Sequence, residues 1–510
     1  MKKRGLLHPF LFAVYPVLLL FSRNIGHVSI PDIILPLGII VGSTALLFAI
    51  LTGLLRSGEK AAILLSISLF FFFSYGYIHD ILEAVISTRN SYLPAIVGLL
   101  FIVIVYLLLR RYYNPQVTTT FLNVVATTLI IISLVNIGAY WIRSGPRTEQ
   151  LASELPSSST EKEQVSRDIY YIILERYGAA STLESIYDFN NEEFVNYLTE
   201  KGFYVASESR ANYLKTGHSL ASSLNLEYIN YLSEEVDQPD SWKPIHRKLE
   251  EYTVWRFLKE RGYDFIHLGG WWEPTRTNKY ADISLNFQDI PEFSDVLVRT
   301  TAIYPILYRF NIGPFGSQAQ YHSVLKRFDK LSNIPEHENP TFTFAHMFIT
   351  HDPFKFDEDC AYLSPEEARN SSTKENYINQ LICANTKVKE LIDSLLSQYP
   401  ESEPRPIIIV QGDEGPFPKR YLEDGDSFNW DEMATKTELR QKMRILNAYY
   451  LPGVSDDALY PSITPVNTFR LVFNHYFDTD LELLPDKSYA FKDGGHIYEF
   501  FDVTNMVNYD

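Results

Sequence analysis

Cysteine is nearly absent from this 510-residue chain: Cys360 and Cys383 are the only two, and no CxxC spacing occurs. Their separation does not describe a metal site, which argues against a thiolate centre. The sequence leaves open whether they bridge each other, as an oxidising compartment would allow. Acid is nearly absent from the first part of the chain. Residues 1–145 hold ten Lys/Arg and four Asp/Glu, leaving 35 basic and 58 acidic residues for the remainder, a balance of −23. A surface of that sign repels phosphate backbones and excludes nucleic acid as a partner. Internal repeats are lacking as well, which argues against a repeat architecture.

What is abundant is apolar length. Five segments of spanning character lie at about 6–22, 32–55, 61–83, 94–110 and 118–141. The first lacks a small-residue cleavage site and four more follow it, so it reads as a retained anchor and not as a signal peptide. Lys2, Lys3 and Arg4, then Arg56 and Lys60, then Arg110 and Arg111 fall on one side of these spans, against Arg23, Arg89 and Arg143 on the other. The positive-inside rule then predicts a cytoplasmic N-terminus, a multi-pass cell-membrane protein, and everything past residue 145 outside.

Residues 146–166 are polar with a Ser-rich centre and read as a tether. From 167 to 510, apolar runs alternate with helical patterns. DIYYIIL (168–174), YDFIHL (263–268), TFTFAHMFI (341–349), IIIV (407–410) and ILNAYYL (445–451) are predicted strands, with amphipathic helices at 192–202 and 377–397. That alternation predicts a mostly parallel central sheet covered by helices, an α/β external domain after an N-terminal helical transmembrane bundle.

The strand ends carry the chemistry. Glu175 follows the first strand, His351 the third, and Asp413 with Glu414 the fourth. Ligands of open α/β sheets bind beyond the carboxyl ends of the strands, so these side chains converge on one crevice if the sheet forms. Glu175, Asp413 and Glu414 would then make a hard, oxygen-rich cluster that calls for a divalent cation. The plainer alternative, solvated carboxylates capping turns, stays open. Thr216 stands at the predicted start of a helix in NYLKTGHSLASSLN, where a hydroxyl is either an N-cap or a nucleophile beside a phosphate-binding helix terminus.

DIYYIILERYG, NYLKTGHSLASSLN, THDPF and IIIVQGDEGP occur in an order that resembles sulfatase-like membrane proteins of the alkaline phosphatase superfamily, among them lipoteichoic acid synthases and phosphoethanolamine transferases. The resemblance covers roughly 167–505. It implies an alkaline phosphatase/sulfatase-like external catalytic domain, one divalent metal ion, and metal ligation by Glu175, Thr216, Asp413 and Glu414, with Thr216 also the residue that becomes phosphorylated. His351 resembles the histidine that contacts the transferred phosphoryl group, against the alternative of a loop histidine before Asp-Pro. Glu414 departs from the pattern, since histidine is usual there. Replacing a nitrogen donor by an oxygen tilts the expectation to manganese or magnesium, with zinc or calcium as alternatives.

LKTGHSL lacks the C/S-x-P-x-R sequence that sulfatases convert to formylglycine, which sets sulfate-ester hydrolysis behind phosphate-ester transfer or hydrolysis. The resulting expectation is a transferase or hydrolase that moves a phosphoryl-alcohol group from a membrane-lipid head group through phospho-threonine to an envelope glycan or to water. His218, His496 and Trp271 are further candidates for substrate contact, each with an alternative in ordinary packing or surface exposure. Two rivals are a decayed relative that binds a glycan or partner enzyme, favoured by Glu414, and a transporter. The near absence of ionisable residues at the centres of the spans speaks against the second.

Overall fold

A computed structural model describes residues 5–25, 28–86, 98, 103, 114–143, 166–285, 290–334, 337–400 and 402–509. The chain divides into two compact units. The first comprises Met1–Arg147 with Ile290–Gly316, the second Thr148–Asp289 with Ser317–Asp510.

The first unit contains helices α1 (His8–Arg23), α2 (Ile30–Leu55), α3 (Gly58–Ile86) and α4 (Pro115–Arg143). Three stretches, Ile30–Leu55, Gly58–Ile78 and Pro115–Ile142, are long and apolar enough to cross a membrane, and α1 is a shorter apolar helix. The segment expected at 94–110 lies outside the described residues apart from 98 and 103, as does the tether apart from residue 166. Large apolar side chains such as Leu35, Leu54 and Phe121 point outward from α2 and α4, the pattern of helices solvated by lipid. Ser29 N–H and its hydroxyl both donate to Asp32 Oδ2, at 2.9 and 2.6 Å, at the start of α2.

The sequence reading assigned 290–316 to the external domain, whereas the structure groups Ile290–Gly316 with these helices. Phe293 and Leu297, on the helix Glu292–Arg299, join Val17, Leu20, Phe21, Ile25 and Ile33 in one apolar cluster. Gly76 N–H donates to Thr300 O and Ala302 N–H to Phe72 O at 2.9 and 2.8 Å. Any Cβ at Gly76 would meet Thr300 Cα at 2.8 Å, so glycine permits this approach.

The second unit is built on a seven-stranded sheet in the order β2-β7-β6-β1-β5-β3-β4. The strands are β1 (Ile169–Leu174), β2 (Tyr204–Val205), β3 (Asp264–Leu268), β4 (Ile283–Ser284), β5 (Thr341–Met347), β6 (Ile407–Gly412) and β7 (Asn447–Tyr450). β6, β1, β5, β3 and β4 run parallel, and β7 alone is reversed, antiparallel to both its neighbours, β6 and β2. The five predicted strands all form, with ends shifted by one or two residues. β1 is buried along its whole length because helices cover both faces, which is why it reads as an uninterrupted apolar run.

Odd-numbered β1 residues pack on one face with α5 (Thr216–Asn225) and α7 (Pro465–Tyr476), including Phe469 and Phe473. Even-numbered ones pack on the other with α6 (Thr373–Ser397), including Leu381, Val388 and Leu391. Cys383 on α6 is disulfide-bonded to Cys360.

Truncation of β1 tests how far this sheet carries the fold. Ile172→Ala, at a fully buried position between β5 and β6, is expected to destabilise the unit by about 2–5 kcal/mol. Leu422→Ala, at a 48% exposed position, should change stability by no more than about 0.5 kcal/mol. Thermal unfolding of the two full-length variants provides the comparison.

Candidate metal centre

β1 lies between β5 and β6, with Leu174 opposite both Met347 and Gly412. The residues that follow β1 and β6, Glu175 and Asp413, therefore emerge side by side. His346 sits one position back on β5, opposite Ile173, on the same face as Phe342 and Phe344. Glu175, His346 and Asp413 are all buried, and each offers a ligand atom within 4.8 Å of the others.

Hydrogen bonds fix each member. Arg176 N–H, in a residue turned to φ 60, donates to Asp413 Oδ1 at 2.9 Å. His346 Nε2 lies 2.7 Å from Glu175 Oε2, and its Nδ1 lies 2.8 Å from Thr275 Oγ1. In the tautomer that donates from Nδ1 to Thr275, the Nε2 lone pair is aimed into the cluster, the usual way a second hydrogen bond orients a metal-binding imidazole. Thr216 opens α5, with Lys215 extended before it, and its hydroxyl donates to Glu175 Oε1 at 3.1 Å.

Burial, Glu414 and, for Asp413, Glu175 shift the carboxyls upward. Glu175 is pushed up to about 7 despite Arg176, and Asp413 well above the carboxylate range. Burial pushes His346 down to about 4, so its imidazole is neutral near pH 7 and free to ligate. Asp413 Oδ2 is buried with no hydrogen-bond partner among the described residues. An orphaned carboxylate oxygen beside a second carboxylate and a neutral imidazole fits a divalent cation.

Glu414, expected as a ligand, is not in this group. Its Oε1 is 2.5 Å from Lys442 Nζ and 3.6 Å from Arg176 Nε. Lys442 is itself fully buried, donates to Gly415 O at 3.0 Å and lies 3.3 Å from the centre of the Phe417 ring. Arg176 and Lys215 approach the same ring at 4.5 and 4.9 Å, and Arg176 also pairs with Asp352. The nitrogen that lies with Glu175 and Asp413 belongs to His346.

His351 Nε2 is 3.9 Å from Glu175 Oε1. Its ring stands edge-on to Trp271, and both border a small cleft that Arg327, Lys355 and Gln380 also line. Glu175, Thr216, Asp413, His351 and Trp271 are therefore gathered around one locus. His218 is not: it is enclosed by Trp242, Phe491, Phe500 and Tyr498 and pushed down to about 3 by burial. His496 is a half-exposed residue held by Asp493 Oδ1 at 2.7 Å.

Sequence reasoning passed over His346, Arg176, Lys215 and Lys442. For His346 a signal existed, since alternation along TFTFAHM places it on the face of Phe342 and Phe344, beside the strand that ends in Glu175. For Lys442 there was none, because the pair closes across 27 intervening residues.

No family model matches this chain, and no curated protein does. Solved structures similar to it include the C-terminal periplasmic domain of EptC from Escherichia coli, at 12% identity and TM-score 0.44, covering 69% of this chain and 96% of that one. Another is the integral membrane lipooligosaccharide phosphoethanolamine transferase A from Neisseria meningitidis, at 11% identity and TM-score 0.41, covering 92% and 95%. A third is an alkaline phosphatase superfamily protein from Vibrio parahaemolyticus, at 10% identity and TM-score 0.39, covering 68% and 80%.

The role of Lys442 is testable apart from any activity. Lys442→Met leaves Glu414 buried without its partner and is expected to destabilise the second unit by about 3–5 kcal/mol. Adding Glu414→Gln should restore most of that loss, and a double-mutant cycle read by chemical unfolding measures the coupling.

Proposed function

We propose that this protein is a multi-pass membrane phosphotransferase of the sulfatase-like type, with its second unit on the outer side. It moves a phosphoryl-alcohol group from a lipid head group to a hydroxyl of an envelope glycan, or to water, through phospho-threonine at residue 216. The observation that carries this reading is the Thr216 hydroxyl, at a helix N-terminus, hydrogen-bonded to Glu175 within a buried Glu175, His346 and Asp413 cluster. The motif order across 167–505 supports the same class.

Glu175, His346, Asp413 and the Thr216 oxygen would hold the cation. Bound there, it supplies the positive charge that lets two buried carboxylates and a phosphate share one site and makes the threonine hydroxyl easier to deprotonate. The preference for manganese or magnesium rested on the missing nitrogen donor; with His346 present, manganese and zinc both suit the donor set.

The chain's own groups account for the rest. The free amides of the first turn of α5 favour phosphate oxygens. Thr216 Oγ1 gives its proton to Glu175 and bonds to phosphorus, while the bond from phosphorus to the glyceride oxygen breaks and that oxygen takes the proton from Glu175 and leaves as diacylglycerol. His351, facing both Glu175 and the cleft, orients the phosphoryl oxygens and the incoming acceptor. The acceptor hydroxyl then gives its proton to Glu175 and bonds to phosphorus, and the bond to Thr216 Oγ1 breaks as that oxygen takes the proton from Glu175.

Full-length protein in detergent tests this scheme. Elemental mass spectrometry should find about one equivalent of divalent metal per chain, lost in Asp413→Ala and His346→Ala and kept in Thr216→Ala. Thr216→Ala should lower diacylglycerol release from phosphatidylethanolamine or phosphatidylglycerol by roughly a thousandfold or more. Turnover that survives Thr216→Ala would remove the nucleophile and with it the two-step scheme.

A further inference from the structure

Ile290–Gly316 is an excursion from the second unit that packs with the membrane helices. Its anchors share one end of the bundle: the last turns of α1 (Leu20, Phe21) with Ile25, the start of α2 (Ile33), the end of α4 (Ile137, Tyr140) and Phe72 and Gly76 of α3. That end carries Arg23 and Arg143, and the charge rule makes it the outer end.

Past its anchors the segment turns apolar side chains outward. Ile303, Ile306, Phe310 and Ile312 are 42%, 52%, 69% and 48% exposed, on and beside a short helix, Tyr304–Arg309. Tyr304 and Tyr308 lie against each other, and Arg299 sits over Tyr304. Exposed aliphatics, paired tyrosines and arginines are the composition of a chain at a membrane–water boundary. The charge agrees: residues 296–328 contain no Asp or Glu, although this half of the chain is strongly acidic.

We propose that Ile290–Gly316 is an interfacial membrane element whose Ile303, Ile306, Phe310 and Ile312 side chains enter the outer leaflet. The occupant of this face is lipid acyl chain, because the segment is hydrogen-bonded to α3 at Phe72 and Gly76, just before His79 and Asp80 interrupt that helix's apolar run. The inference rests on the membrane reading of α1–α4 and is independent of the chemistry proposed above.

Nitroxide labels read the surroundings directly. The two native cysteines are paired, so a label attaches at Ile303→Cys, Ile306→Cys, Phe310→Cys or Ile312→Cys, one at a time, in full-length protein in phosphatidylcholine/phosphatidylglycerol nanodiscs. Leu47→Cys on α2 and Met433→Cys in the second unit serve as lipid and water references. The expected result is that collisions with oxygen exceed those with a water-soluble nickel chelate at the four positions and at Leu47, with the order reversed at Met433. Nickel access at Ile306 and Phe310 equal to that at Met433, with Leu47 lipid-like, would overturn the inference alone. Shielding of Ile306 and Phe310 from both reagents would also overturn it, in favour of a covering protein such as a second copy. Nickel access at Leu47 would overturn the membrane reading itself.

Discussion

Burying several carboxylates next to one another is the constraint around which the second unit is organised. Parallel pairing of β6, β1 and β5 delivers Glu175 and Asp413 to the same side of the sheet with Glu414 beside them. Each ionised group removed from water there needs opposite charge or a proton. The fold meets this demand differently for different members. Glu414 receives a fixed ammonium, Lys442, and shares Arg176. Glu175 has its guanidinium neighbour no closer than 3.9 Å, and Asp413 Oδ2 has no hydrogen-bond partner among the described residues. The upward shifts of Glu175 and Asp413 express that imbalance, and a divalent cation between them and His346 would remove it.

Lys442 changes the meaning of the Asp-Glu pair in QGDEGP. Read alone, glutamate in the position usual for histidine adds a negative charge and removes a nitrogen donor, which is why decay of the site was a reasonable reading. In the folded chain the charge is answered by a buried lysine, sandwiched between Glu414 and the face of Phe417. The nitrogen that lies with Glu175 and Asp413 comes from a different strand, in His346.

The strands and their ends were legible because each has a local signature: DIYYIIL, TFTFAHM and IIIV are apolar on both faces, and each stops at a polar turn. Glu175, Asp413 and His351 could be found by looking just past those stops, and Thr216 by looking at the start of a helix. His346 could not be found that way, since it lies inside a strand where a histidine most often serves packing. Lys442 and Arg176 act through ion pairs whose partners are set by tertiary structure. His218 misled because nearness in sequence to Thr216 does not survive helix geometry: two residues along α5 the side chain points to the opposite, aromatic side.

Ile290–Gly316 escaped sequence reasoning for a related reason. Its apolar stretches are shorter than a span and interrupted by Pro305 and Pro314, so they read as ordinary core. Chain entropy makes an excursion of this length only slightly more costly than a tight loop, so length alone would not select against it. Composition does the selecting. A loop in water gains nothing from presenting Ile306 and Phe310, and in so acidic a half a stretch without carboxylates is not what random placement gives. Beside a leaflet with anionic head groups, however, carboxylates would be repelled and arginines attracted. Exposed aliphatics and missing acid, each unremarkable alone, thus share one physical cause in the lipid boundary.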